Sequence, residues 1–204
     1  RRKGIKVKIA SKERLTELSG VEKHQGVVAV FKGEFAYCHI EDAIKAWKDS
    51  GGRALFLVLD SIQDPQNLGS LIRAAAASGV HAVIIPKDRA CQVTAAVTKA
   101  SAGATELVMI ARVTNLTNTL SDLKEEGVWT IGIEAGSGKS LYSVDMLTDI
   151  AIVVGSEGSG IRRLVREKCD ITAQIPMKGT LNSLNAAQAG VVALFEAGRQ
   201  RGFS

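Results

Sequence analysis

The chain is poor in the residues that most often announce chemistry. It holds three cysteines and three histidines in 204 residues. Cys38, Cys91 and Cys169 are odd in number, widely spaced and without a CxxC pair, which argues against both a disulfide framework and a zinc site, although His39 adjoins Cys38. They read as buried free thiols. His24, His39 and His81 are scattered as well, so a metal cluster or a histidine-based nucleophile relay has little support, and no metal is expected. No apolar run approaches the length that spans a bilayer, and the basic N-terminus lacks the hydrophobic stretch of a secretory signal. A cytoplasmic protein with no membrane partner is the expectation. There is no internal repeat, and 46% hydrophobic against 23% charged residues gives no sign of disorder. A chain of this length can bury one good core plus an appendage.

Charge is scarce outside one place. Of the net +5, residues 1–14 carry seven Lys or Arg against one Glu, a balance of +6 that leaves the remainder near −1. Such an arm suits phosphate contacts that supply salt-sensitive, non-specific affinity for nucleic acid. The same residues also read as a half-buried strand with a lysine edge, since Ile5, Val7 and Ile9 alternate with Lys6 and Lys8. One strand and the short helix of KERLTELSG are too little for an independent core, so residues 1–20 read as the tail of a domain whose front precedes this sequence. Residues 21–53, with VVAVFK and a helix-like EDAIKAWKDS, would finish that domain and link it to the next.

From Ala54 onward strands and helices alternate. Strands are expected at 54–59, 80–85, 106–110, 128–133, 150–154 and 171–175, and helices at 67–78, 92–102, 115–126, 160–168 and 185–200. The pattern is that of an α/β sheet. In the last helix the spacing places Ala187, Val191, Leu194, Phe195 and Gly198 on one face, fit to dock on the sheet or a partner.

The densest stretch runs from Val153 to Gly190. The apolar run 150–154 stops at Gly155, and glycines at 155, 158 and 160 let backbone amides approach a ligand while Glu157 brings a carboxylate to the same corner. An ordinary strand-to-helix turn is the plainer reading of that loop alone, and GSEGSG lacks the lysine of a phosphate-cradling loop. Upstream, 54–86 reads as one βαβ unit in which Asn67 is most simply an N-cap and Arg73 a solvated helix residue.

Taken together, DPQNLGSLIRAAAASGV, IVVGSEGSGIRRL and IPMKGTLNSLNAAQAG, in that order, resemble the three signature motifs of the SpoU (TrmH-like) branch of the SPOUT RNA 2′-O-ribose methyltransferases. The resemblance covers roughly residues 52–201. HQGVVAV at 24–30, VHAVIIPKDR at 80–89 and RVTNL at 112–116 are further similar to the bacterial enzymes that methylate a guanosine ribose in 23S ribosomal RNA. It implies a SPOUT-type Rossmann-like parallel sheet with a deep C-terminal trefoil knot, preceded by part of a small α/β RNA-binding domain. The boundary is expected at residue 53, with the methyltransferase domain at 54–204. Chains do not ordinarily thread through themselves, so the knot rests wholly on the resemblance.

What the resemblance implies for chemistry is S-adenosyl-L-methionine as cofactor, RNA as substrate and a homodimer. Carried over by motif position, Asn67, Arg73, Glu157, Ser183 and Asn185 form the reacting site, with Arg73 gripping the target phosphate. Ile133, Glu134, Gly155, Ile175, Met177 and Leu184 hold the cofactor. The sulfonium charge is lost during transfer, so a cradle of backbone groups suits the cofactor better than fixed counter-charges. The family's proposal makes the arginine the general base; a guanidinium is almost never deprotonated in a protein, which leaves Glu157 or a phosphate-linked proton path as the alternative. As plainer roles, Ile175 and Met177 fit a core and Ser183 fits a helix cap. Two departures stand out. Ala187 replaces a small hydroxyl that the family usually carries in the helix start, where Gln188 also departs, and Ser61 stands where the family more often has glycine.

Other readings stay open at this point. A transfer-RNA ribose methyltransferase of the same branch uses the same motifs, and a catalytically silent RNA-binding protein would need only the basic arm. EAGSGKS at 134–140 resembles a Walker A loop and FLVLD at 56–60 a Walker B strand, but Ile133 stands where that pattern needs glycine.

Overall fold

The computed structural model describes residues 6–20, 22, 24–30 and 33–202. The chain divides into two compact units, Arg1–Phe35 and Ala36–Ser204.

In the first unit, Ser11 caps helix α1 (Lys12–Ser19) by accepting the Arg14 N–H, and Gly20 closes it in the left-handed conformation. No residue of α1 is buried. The alternating segment expected as a strand forms none among its described residues, and Val7 and Ile9 are exposed. Alternation is not sufficient for a strand, which needs a neighbouring ladder, and no strand is described in this unit. Ile5 lies outside the described residues, as do Phe31 and Lys32 of VVAVFK.

The second unit begins with α2 (Ile40–Ser50) and continues into a six-stranded parallel sheet: β1 (Leu55–Asp60), β2 (Ala82–Pro86), β3 (Met109–Val113), β4 (Trp129–Ile133), β5 (Ile150–Gly155) and β6 (Ile171–Ala173). Between them run α3 (Pro65–Ala77), α4 (Ala95–Ala100), α5 (Leu116–Glu125) and α6 (Arg163–Arg166), and α7 (Ala186–Gln200) ends the unit. Strand order is β3-β2-β1-β5-β4-β6. Every residue of β1, β2 and β5 is buried, as expected of parallel strands covered on both faces. One face, with Phe56, Val58, Ile84 and Val153, packs against Trp47 of α2, Leu116, Leu120 and Leu123 of α5 and Val165 of α6. The other carries α3 and α7, which touch each other and the sheet.

The last helix docks by a face that overlaps the one its spacing suggests: Ala187, Leu194 and Gly198 are buried as expected, Val191 is partly buried, and Phe195 is the exception. Ala186, Ala187, Gly190, Ala193, Leu194 and Ala197 are buried, while Phe195 is 47% exposed. Gly190 explains the register: a Cβ there would lie 2.4 Å from Leu71 Cδ2, so only glycine lets α7 approach α3 this closely. At the far end Arg201 donates to the carbonyls of Ala54 (2.8 Å), Met146 (2.9 Å) and Thr148 (2.6 Å), pinning the segment before β5 to the start of β1.

Several elements differ from their sequence signal in extent or position. The expected helix 160–168 reduces to α6, because Gly160 remains in the glycine loop and the chain turns again after Arg166. The strand expected at 106–110 is Met109–Val113, preceded by a 3-10 turn at Ala104–Glu106.

Candidate functional site

Parallel α/β sheets bind ligands outside the carboxyl ends of the strands, at the point where strand order reverses. Here that point lies between β1 and β5, whose last residues, Asp60 and Gly155, are register partners. Asp60 is fully buried and accepts the Arg162 main-chain N–H (2.8 Å) and Nε (2.7 Å), so it anchors the chain just beyond the glycine loop. A buried carboxylate needs such a partner. The signal for this pair, an aspartate ending an apolar strand, was present in FLVLD.

The loop itself is closed by two reciprocal bonds, Ser156 N–H to Gly160 O (3.1 Å) and Gly160 N–H to Ser156 O (3.0 Å), while the hydroxyls of Ser156 and Ser159 lie 2.6 Å apart. The amides from Glu157 to Ser159 take no part in that pair. A Cβ on Gly155 would meet Gly160 C at 2.1 Å, so the turn tolerates no side chain at this position.

Above the loop lies a cavity of about 300 Å³. Ile133, Glu134, Gly155, Ile175, Met177 and Leu184 all line it. Ile175 and Met177 are half-buried on the wall and do not belong to the core, so the plainer assignment of these two does not hold. Glu134 follows β4, its N–H bonded to Ala173 O (2.9 Å), and its carboxylate pairs with Arg166 Nη1 at 3.1 Å.

At the rim three side chains from distant parts of the chain converge. Asn67 Nδ2 donates to Glu157 Oε1 at 2.8 Å, Asn185 Nδ2 donates to the same oxygen, and Asn185 Nδ2 lies 3.2 Å from Asn67 Oδ1. Asn185 Oδ1 meanwhile accepts the N–H groups of Ala187 (2.8 Å) and Gln188 (3.2 Å). One residue thus caps α7 and orients the carboxylate. The cap of α3 is Asp64, which accepts from Gln66 and Asn67 with Pro65 in the first turn, so Asn67 is not the cap that its position in the sequence suggested. Asn67 lies within the first turn, with its side chain released for Glu157.

Ser183 lines the cavity wall, and the capping role open to it belongs to Asn185. Arg73 is exposed on α3 and makes no hydrogen bond or ion pair among the described residues. It lies six residues beyond Asn67, about 9 Å along the helix axis, and is not on the cavity lining.

The Walker-like segment does not form a phosphate loop. Gly136 and Gly138 adopt positive φ, the Gly136 N–H is spent on Gln174 Oε1 (3.0 Å), and only a 3-10 turn at Leu141–Ser143 follows. A phosphate loop opens a full helix whose N-terminus faces the anion. Among the described residues no cluster of three or more His, Cys, Asp or Glu could hold a metal ion, and no helix is long and apolar enough to cross a membrane. The three cysteines are free thiols, all only partly buried. Burial pushes Cys169 up to about 12, which leaves it an unreactive thiol.

Comparison with known proteins extends this geometry. Residues 54–195 match the SpoU rRNA Methylase family, and residues 1–35 match the family described as RNA 2′-O ribose methyltransferase substrate binding. The chain is 46% identical over 203 residues to the 23S rRNA (guanosine-2′-O-)-methyltransferase RlmB of Xanthomonas campestris, covering 98% of this chain and 80% of that protein. It is 45% identical over 198 residues to the RlmB of Coxiella burnetii, covering 97% and 78%. Among solved structures, the SpoU methyltransferase AviRb from Streptomyces viridochromogenes, in complex with AdoMet, superposes with a TM-score of 0.69 at 28% identity, over 74% of this chain and 61% of that one.

Proposed function

Because the chain belongs to the SpoU rRNA methylase family, we propose that it transfers a methyl group from S-adenosyl-L-methionine to the 2′-hydroxyl of a guanosine in 23S ribosomal RNA. The observation that carries this reading is the junction of the Asn67–Glu157–Asn185 cluster with a cavity on which all six expected cofactor residues lie.

The cavity fits the cofactor by chemistry and by size. Its volume is at the lower end of small-molecule sites, about 300–1,000 Å³, and its walls combine apolar side chains with a glycine loop whose backbone is bare of Cβ atoms at Gly155, Gly158 and Gly160. When bound, S-adenosyl-L-methionine supplies an electrophilic methyl group on a sulfonium. Ile133, Ile175, Met177 and Leu184 exclude water from the cofactor, and the loop offers it main-chain donors. Glu157 is held by two amide donors on one oxygen, so its carboxylate is fixed at the edge of the cavity where the ribose hydroxyl must arrive. Positioning of reacting groups lowers the barrier, by up to ~7–11 kcal/mol where reactants are fully oriented. Arg73, which has no hydrogen-bond or ion-pair partner among the described residues, serves the incoming phosphate and orients the hydroxyl, and Glu157 receives the proton directly or through the phosphate.

The unit Arg1–Phe35 we read as the RNA-holding part of the enzyme, supported by its family match and by the basic residues 1–14. The trefoil knot belongs to the same reading. It is supported by the ties between the chain after β4 and the chain after β6: Gln174 N–H to Lys139 O (2.8 Å) and Leu141 N–H to Gln174 O (2.7 Å). A cytoplasmic site of action and a homodimer complete the proposal.

The test is methyl transfer from labelled cofactor to unmodified ribosomal and transfer RNA, with the product mapped by nuclease digestion and mass spectrometry. Label on a 23S guanosine ribose is expected, falling roughly 100-fold or more in Arg73→Ala, the scale for removing one transition-state contact. Label on transfer RNA alone would move the substrate, and no label on either RNA would overturn the reading.

A further inference from the structure

A second depression opens at the carboxyl ends of β2 and β3 and encloses about 690 Å³, more than twice the volume of the cofactor cavity. The chain after the glycine loop borders both: Gly160 lines the first and Arg162–Val165 line the second. The mechanism above does not use this groove, although Arg162 and Arg163 lie in IVVGSEGSGIRRL and Asp88 and Arg89 end VHAVIIPKDR. Its walls carry three arginines, Arg89, Arg162 and Arg163, against one acid, Asp88.

Each arginine is available in a different way. Arg162 is locked to buried Asp60 through its main-chain N–H and Nε, which fixes the guanidinium plane yet leaves both terminal nitrogens without a hydrogen bond among the described residues. Arg163 pairs with Glu167 at 2.7 Å, but both side chains are more than half exposed, and such pairs are readily exchanged for a stronger acceptor. Arg89 makes no hydrogen bond or ion pair among the described residues and holds φ at 59°, a left-handed conformation unfavourable for any residue but glycine, asparagine or aspartate. Strain kept at a charged, unpartnered side chain points to use of that side chain.

We propose that this groove binds the phosphate backbone of the RNA strand adjoining the methylated nucleotide. The proposal rests on the RNA methyltransferase reading and deepens it, because Asp60 ties Arg162 to the same strand end that faces Gly155. Guanidinium groups match phosphate oxygens bidentately, and a volume of this size takes a nucleotide rather than a point ion. Leu164, 58% exposed, adds an apolar shelf beside them. An excess of two positive charges at the edge where a polyanion must enter favours nucleic acid over a protein partner.

The experiment compares the wild-type protein with Arg89→Asn, Arg163→Gln and the double variant, using a 23S ribosomal RNA fragment. Arg162 is left intact to preserve its tie to Asp60. In the double variant KM for RNA is expected to rise roughly tenfold with kcat and cofactor affinity retained. The slope of log affinity against log salt is expected to fall by about 1.4, at about 0.7 per phosphate contact on a single strand. Asparagine tolerates the left-handed conformation, so Arg89→Asn melts no lower than wild type, and Arg89→Lys keeps the salt slope. Wild-type KM and salt slope in the double variant, with wild-type protein active on RNA, would overturn the groove alone. Absence of transfer to any RNA by wild-type protein would remove the functional reading first and the groove with it.

Discussion

Ser61 holds φ at 62°, a left-handed value that costs a side chain with a Cβ about 1 kcal/mol or more. The family's usual glycine at this place has a conformational cause, therefore, and the serine is tolerated because its hydroxyl donates to Asp60 Oδ1 at 3.1 Å. Removing the strain outweighs losing a bond to an already partnered carboxylate. Ser61→Gly is expected to raise the unfolding free energy by up to about 1 kcal/mol, read from urea denaturation at pH 7; a clear decrease would mean that the hydroxyl matters more. Asn67 and Asn185 make the complementary point. Asn67 looked like a cap in sequence, yet it gives up capping to Asp64, while Asn185 takes the cap open to Ser183 and binds Glu157 as well.

The elements around the site are shaped by what they must clear. Gly190 brings α7 onto α3, and Asn185 at the head of α7 thereby reaches Asn67 near the head of α3. At the opposite end of the sheet, His81 joins three elements: its Nδ1 accepts the Leu55 N–H at 3.2 Å, its Nε2 lies 3.3 Å from Ser50 Oγ at the end of α2, and its ring packs by Phe56. Burial holds the imidazole below its ordinary 6.5, with Arg201 adding to the effect and the Leu55 backbone and Asp149 opposing it. The unfolded chain consequently binds a proton here more readily than the folded one. Stability from this group is complete above pH 6.5 and is lost as pH falls through the unfolded value, since burial disfavours the charged imidazolium in the folded chain. The melting temperature should drop between pH 7.5 and 5.5, and His81→Gln should lessen that drop; an unchanged pH dependence in the variant would refute this role.

For the molecule as a whole, apolar side chains remain uncovered where α7 meets the segment before β5. Phe195, Tyr142 and Leu147 are 47%, 54% and 43% exposed, and Gln200 binds Val144 O and Met146 N to hold that segment against the helix. Large apolar side chains exposed on neighbouring elements suit an association surface. The expected homodimer would use it, and light scattering at working concentration should return twice the chain mass; a single chain's mass would remove the dimer. The basic groove, the cofactor cavity and the convergent asparagines all lie at the carboxyl ends of the strands, which leaves the amino ends to the structural ties made by His81 and Arg201.

Much of this was legible without coordinates. Apolar runs bounded by turns located β1, β2, β4 and β5 to within a residue or two, because a strand covered on both faces is written in local composition. Glycine at 155 was legible as the local requirement of a tight loop, whereas the reacting residues were named only through the family resemblance. Alternation misled at residues 6–9 because pairing partners are not encoded in the segment itself, and helical spacing found Ala187, Leu194 and Gly198 of the buried face of α7 but misplaced Phe195, because the close approach at Gly190 sets the rotation. Only the tertiary structure decided which polar groups meet. Asn67, Glu157 and Asn185 are 90, 28 and 118 residues apart in their three pairings, and the strand order that sets β5 beside β1 places them on one hydrogen-bonded corner. Sequence specifies a residue's local conformation through short-range sterics and capping; contact across the sheet is a property of topology, which the packing of all the elements settles together.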